Sequence, residues 1–265
     1  MDWTFWYKLF LSFLVGGCWV TLTTTMAEKF GSKIGGLLGG MPSTIVVSLL
    51  FIGLTQNAEV ASQATTIVPL AHGFNTFFIL VFVLSIPKGL KLAVPVSLLI
   101  WFLSAILLIL LNISRYWISL GGWLVFLGFA YILMEKIMRI DSHGTVAIVY
   151  STGQILFRAI FSGSAIAFAV LMGKLGGPLL GGIFATFPAM FLTTLIITHR
   201  SGGAEFSRAT AKSLLISGLI NVILYTIFVR YLFLTIGLFW GTGVALLISA
   251  GTGYLTYLFM KAKIS

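Results

Sequence analysis

Long stretches without a single Asp, Glu, Lys or Arg constrain this chain more than any other feature. They cover residues 9–27, 34–58, 60–87, 92–114, 116–134, 175–199, 213–229 and 231–260. A ninth apolar segment lies between His143 and Lys174 and is interrupted only by Arg158. A helix needs about 20 apolar residues to cross the hydrocarbon of a bilayer. The runs are continuous and do not alternate with a period of two, so they predict helices, not barrel strands. The expected fold is an all-α integral membrane protein with about nine transmembrane helices. Composition removes the alternatives. Charged residues make up 8% of the chain and hydrophobic ones 59%, whereas a soluble domain carries about 25% charged residues. A water-soluble enzyme and a disordered chain are both excluded.

In a soluble protein a net charge of +10 would point to nucleic acid. Here it predicts basic loops held against anionic headgroups, with the lipid bilayer as partner and no nucleic acid. Alternate loops divide the charges unevenly. Lys29, Lys33, Lys88, Lys91, Lys136, Arg139, Arg200, Arg208, Lys212, Lys261 and Lys263 fall on one side. Lys8, Arg115, Lys174 and Arg230 fall on the other. That bias of 11 to 4 predicts a cell-membrane protein, in the inner or plasma membrane, with its N-terminus outside and its C-terminus cytoplasmic. Leu14-Val15-Gly16-Gly17-Cys18 imitates a lipoprotein cleavage site. Asp2 weakens the segment before it and Gly16 fits the pattern poorly, so an uncleaved first helix is expected.

The two ends of the chain resemble each other at a constant offset of 146 residues. Gly36 to Pro42 matches Gly182 to Pro188, Ala58-Glu59 matches Ala204-Glu205, Asn75 matches Asn221, and Gly17 falls on Gly163. The pattern G-x5-P-x16-E-x15-N thus occurs twice without a gap, in a chain with only 6 Pro and 6 acidic residues. This predicts a duplication: four helices in residues 1–112, a linking helix and cytoplasmic loop in 113–146, and four helices in 147–265. One odd helix between two four-helix copies makes the second enter the membrane from the opposite side. Inverted repeats of this kind recur in secondary transporters. They also occur in channels and lipid flippases.

The second copy, from Pro188 through His199-Arg200 to Glu205-Phe206-Ser207-Arg208-Ala209-Thr210, resembles the small four-helix bacterial GlpM-like inner-membrane proteins. Those carry a similar Gly, Phe-Pro and Glu-x-x-Arg-Ala-Thr pattern in a single repeat. The first copy departs from it: Glu59-Val60-Ala61-Ser62-Gln63-Ala64-Thr65 lacks the Arg and reaches its Thr one residue later. The resemblance implies a fused pair of such units and supplies no substrate.

Broken helices are the first candidates for function. Gly35, Gly36, Gly39, Gly40 and Pro42 open the second helix, and Gly176, Gly177, Pro178, Gly181, Gly182 and Pro188 open the seventh. Gly and Pro free backbone groups that must find protein, water or ligand, and a helix N-terminus at mid-depth suits an anion. Close helix packing is the plainer use of the same glycines. Glu59 and Glu205 each precede an apolar run, where they complement a helix dipole or serve as gate or proton site. Asn75 and Asn221 fall deep in their helices, where an amide must be paired, by another helix or by a hydrated pathway. His72 lies one turn before Asn75 on the same face, and Gly218 replaces it in the other copy. Arg158 is the one charge inside an apolar segment, which makes it a candidate for a substrate, or a residue that snorkels if its helix starts near Ser151. Thr21, Thr23, Thr24 and Thr25 either line a cavity or bond their own backbone.

Catalytic and cofactor readings have no support in the sequence. A single cysteine leaves no disulfide framework, and there is no Cys/His cluster, phosphate-binding loop or nucleophile motif. No metal, cofactor or enzymatic role is expected. No soluble segment exceeds about a dozen residues, so transport would run on gradients. The expected function is a gradient-driven transporter or flippase for a small anionic solute or lipid headgroup, bound between the repeats. A passive ion or water channel and a non-transporting membrane scaffold are the alternatives, and the chain can self-associate in any of these roles.

Overall fold

The structure is a computed structural model that describes residues 1–29, 41–138 and 150–264. Among these residues there are helices and no strands. In chain order they are α1 (Trp3–Lys29), α2 (Ser43–Thr55), α3 (Ala58–Ala64), α4 (Val68–Ser85), α5 (Leu90–Leu111), α6 (Tyr116–Tyr131), α7 (Thr152–Ala185), α8 (Ala189–Thr235) and α9 (Leu238–Ile264). Large apolar side chains of α5 and α6 are exposed on the outside, among them Leu110, Trp117 and Val125. Water would not tolerate that surface, whereas a bilayer requires it. The protein is all-α, with several helices long and apolar enough to span a membrane.

The helices do not follow the charge-free runs one for one. Within the described part of the run 34–58, α2 has 13 residues and rises about 20 Å, short of the ~30 Å hydrocarbon. The run 60–87 breaks at Thr65–Ile67 into α3 and α4. Pro69, in the first turn of α4, has no N–H to offer a helix continuing from α3. Leu215 stands at the equivalent place in the second copy, and there the helix runs on. The expected loop between His199 and Lys212 is helical. α8 passes through it with one kink at Gly203, whose φ of 78° and ψ of −172° suit only glycine. α7 has the same kink at Gly177, φ 74° and ψ −169°, just before Pro178.

The two copies share more than sequence. Pro42 is the N-cap of α2 with φ −73° and ψ 43°, and Pro188 is the N-cap of α8 with −77° and 41°. Ser43 N donates to Met41 O at 2.7 Å, and Ala189 N to Phe187 O at 2.8 Å. Where α1 crosses α7 the contacts are reciprocal. A Cβ on Gly17 would strike the Ala159 carbonyl, and one on Gly163 would strike the Phe13 carbonyl. Residue 13 corresponds to 159 and 17 to 163. As the number rises on one helix it falls on the other, so α1 and α7 cross antiparallel.

One end of the bundle can be traced through contacts. Lys8 Nζ donates to Leu54 O at 2.5 Å, a cation on the C-terminal carbonyls of α2. Gly53 packs on Leu238 and Ala61. Ser62 Oγ donates to Arg230 O at 2.7 Å, and the Arg230 guanidinium lies 4.6 Å from the centre of the Tyr116 ring. Lys8, Glu59 and Arg230 therefore share one end. From Arg230 back to Glu205, α8 runs 25 residues without a further kink, about 37 Å, so Glu205 is at the other.

Candidate functional site

The starts of two helices, α2 and α8, meet at a half-open cleft. Its wall takes residues in corresponding pairs: Met41 with Phe187, Pro42 with Pro188, Thr44 with Met190 and Ile45 with Phe191. The cleft thus lies where the two copies face each other, at the first turns of α2 and α8. His72, Asn75, Thr186 and Val222 complete it. Its volume is about 20 Å³, by a measure on which a water molecule needs about 10–15 Å³.

Its polar side comes from α4 and the break before α8. Helix α7 ends at Ala185 and α8 starts at Ala189, so the carbonyl of Thr186, the C-cap of α7, lies outside the hydrogen-bond ladder of both helices. Asn75 Nδ2 supplies one at 3.1 Å. The bond ties an amide of the first copy to the broken backbone of the second. Asn75 Nδ2 also lies 3.2 Å from His72 Nδ1. Both side chains are buried, Asn75 at 1% and His72 at 5% exposure, yet among the described residues Asn75 Oδ1 has no hydrogen-bond partner, and His72 Nε2 faces the Gly218 backbone without completing a hydrogen bond. Across from the imidazole is Gly218, the residue at the equivalent position. A Cβ there would sit 3.5 Å from Nε2 and 2.9 Å from Phe191 Cζ. A histidine on one side thus requires a small residue on the other.

Of the residues singled out in the sequence, Pro42, Pro188, His72 and Asn75 come together in this cleft. Gly39 and Gly40 lie outside the described residues. Gly181 and Gly182 serve close packing: a Cβ on Gly181 would meet Gly173 and Ile52, and one on Gly182 the Ala64 carbonyl. Asn221 is buried, and its carbonyl accepts from Ser249 Oγ at 2.9 Å; it does not line the cleft. Glu59 and Glu205 are exposed at the two ends, and Glu205 pairs with Arg208 at 2.9 Å.

Arg158 is fully buried, but away from the cleft. Its helix begins at Thr152, where Ser151 and Gln154 form a reciprocal capping box, so it sits in the second turn and not at mid-helix. Nη1 donates to Thr24 Oγ1 at 2.8 Å and Nη2 to Thr194 Oγ1 at 3.4 Å. The guanidinium joins α1, α7 and α8. Thr23, Thr24 and Thr25 each donate to backbone carbonyls of the preceding turn. Sequence reasoning missed Thr186, because a carbonyl freed by a break leaves no mark in residue type. It also read Arg230 as a loop charge, whereas its Nη1 donates to Ser62 O, Thr65 Oγ1 and Thr66 Oγ1 at the end of α3.

Residues 9–114 and 155–259 each match one family, described as "Protein of unknown function (DUF3147)". The two matches begin 146 residues apart, the offset at which G-x5-P-x16-E-x15-N recurs. The chain belongs to this family and carries its unit twice. No curated protein and no solved structure matches it.

Proposed function

From two DUF3147 units in one chain, we propose a gradient-driven membrane transporter or flippase whose cleft between two inverted-topology repeats binds a small anionic solute or lipid headgroup. The observation that carries this is the cleft itself. It is half-open, sits where corresponding residues of the copies meet, and keeps two buried polar atoms without a complete hydrogen bond among the described residues. Substrate sites of secondary transporters lie at such meeting points of discontinuous helices. The anionic preference is supported by the N-terminal turns of α2 and α8, both bordering the cleft. Arg158, bonded to threonines elsewhere, lends it no support. The inverted arrangement is supported by the antiparallel α1–α7 crossing and by Glu59 and Glu205 at opposite ends. The chain then resembles a fused pair of GlpM-like units in the plasma or inner membrane, N-terminus outside, able to associate with further copies.

Purified protein in proteoliposomes tests the reading. Uptake of labelled small anions should saturate and should depend on an imposed pH or voltage gradient. His72→Phe should reduce it at least about tenfold, the effect of losing roughly one buried hydrogen bond to substrate. Absence of flux for every anion and for labelled lipid would reject transport. The one-water width of the cleft favours a second reading, a passive water pathway. Osmotic swelling that outpaces protein-free vesicles, without saturable anion uptake, would select it.

A further inference from the structure

The two buried side chains of the cleft fix each other's hydrogen-bond roles. An amide nitrogen only donates. Asn75 Nδ2 is committed to Thr186 O and to His72 Nδ1, so both its hydrogens are used. Nδ1 must then accept, which puts the proton of the neutral ring on Nε2. Two groups are left over among the described residues: the acceptor Asn75 Oδ1, and the donor Nε2–H, which faces the Gly218 backbone without completing a hydrogen bond. Of the buried side-chain polar atoms left without a complete hydrogen bond among the described residues, these are the two that line the cleft.

The remaining wall sets the charge. Among the described residues, no Lys, Arg, Asp or Glu lines the cleft. Each helix N-terminus acts as about half a positive charge, so α2 and α8 together offset about one negative charge. A dianion would be left half-compensated. A fully ionised oxygen against Asn75 Oδ1 would also set two acceptors face to face.

We propose that the cleft selects a small, singly charged oxyanion that keeps a proton. Its charged oxygens face the two helix N-termini and accept from His72 Nε2–H, while its hydroxyl donates to Asn75 Oδ1. This rests on the anion-transport reading and adds the substrate class. In the present narrow state the same two atoms suit one water molecule, and the anion enters as the cleft widens between the starts of α2 and α8.

Inorganic phosphate and sulfate provide the test, being alike in shape and size. At mildly acidic pH phosphate is mostly singly charged and hydrogen-bearing, and sulfate has no proton to donate. Titration calorimetry of the full chain in lipid nanodiscs should give phosphate an affinity about 5- to 150-fold above that of sulfate. Alkaline pH, which strips phosphate to the dianion, should weaken its binding. Asn75→Leu should erase the preference. Because that variant also loses the Thr186 bond, the intact protein supplies a second readout. Its imidazole ¹⁵N spectrum should show His72 protonated on Nε2, with that resonance moved by phosphate and not by sulfate. Equal affinities, no binding of either anion, or a ring protonated on Nδ1 would overturn the proposal. Selective binding without flux in proteoliposomes would overturn transport and leave the site. Equal flux of both anions would do the reverse.

Discussion

Arg158 and the seam glycines show how single residues set the contact between the two copies. Removing the Arg158 head group leaves Thr24 and Thr194 without their donor inside the protein. Arg158→Gln is expected to lower stability by about 1.5–3 kcal/mol, the range for hydrogen bonds to a charged group. Anion affinity in the cleft should stay within about twofold, since that stability term is not shared with the site. Thermal unfolding in detergent and anion titration read the two effects separately. At the seam, Gly17→Ala and Gly163→Ala each drive a methyl group into a carbonyl of the opposing helix. Each should cost about 1–3 kcal/mol, the usual range for overpacking, and by the reciprocity of the contact the two losses should be similar. Gly121→Ala and Gly128→Ala on α6 meet nothing within 4 Å. They should be neutral or stabilise by up to about 1 kcal/mol, as alanine does in a helix. At this scale much was legible. The spacing that repeats Pro, Glu and Asn leads to Pro42, Pro188 and Asn75, and helical periodicity places His72 beside Asn75. It could not say which members face each other. Asn75 enters the cleft and Asn221 does not, because that choice depends on which turn of which helix crosses which.

Elements break where a backbone donor is missing, and charge has little to do with it. Pro42 and Pro188 hold nearly the same φ and ψ, so replacing either should have the same first effect. Alanine restores an N–H and removes the fixed φ, which should lower stability by about 0.4–1 kcal/mol through the unfolded chain. The two thermal midpoints should shift alike. Function should not: Pro188→Ala lets the helix run on past Thr186 and competes with Asn75 for its carbonyl. Flux should therefore fall more for Pro188→Ala than for Pro42→Ala, and equal losses would show that the Asn75–Thr186 bond is not used. The same logic explains which elements the sequence misplaced. Charges mark where water begins, not where a helix ends, so Arg200, Arg208 and Lys212 ride on α8 in place of a loop. Pro69 divides α3 from α4 although no charged residue stands near it in the sequence.

At the scale of the whole molecule, the arrangement of the two copies decides between a transporter-like assembly and a chance pair of bundles. Glu59 belongs to the end that holds Lys8, Leu54, Arg230 and Tyr116. Glu205 lies about 37 Å away along α8, more than the ~30 Å of hydrocarbon. Equivalent residues of the two copies should then reach water on opposite sides of the membrane. Cysteine accessibility reads this directly. Cys18 is the one native cysteine and is exposed on α1, so Cys18→Ser gives a silent background. Asn57→Cys, at the N-cap of α3, and Ser201→Cys, just before the Gly203 kink, report the two ends. In intact cells an impermeant maleimide should label residue 57 and spare 201. Inside-out vesicles should reverse the pattern, because the 11-to-4 excess of Lys and Arg lies on the 201 side. Labelling of both positions from one face would mean that α1 and α7 do not lie along the membrane normal, and the inverted pair would be rejected. Opposite labelling with the sides exchanged would keep the inversion and overturn only the orientation drawn from the charges.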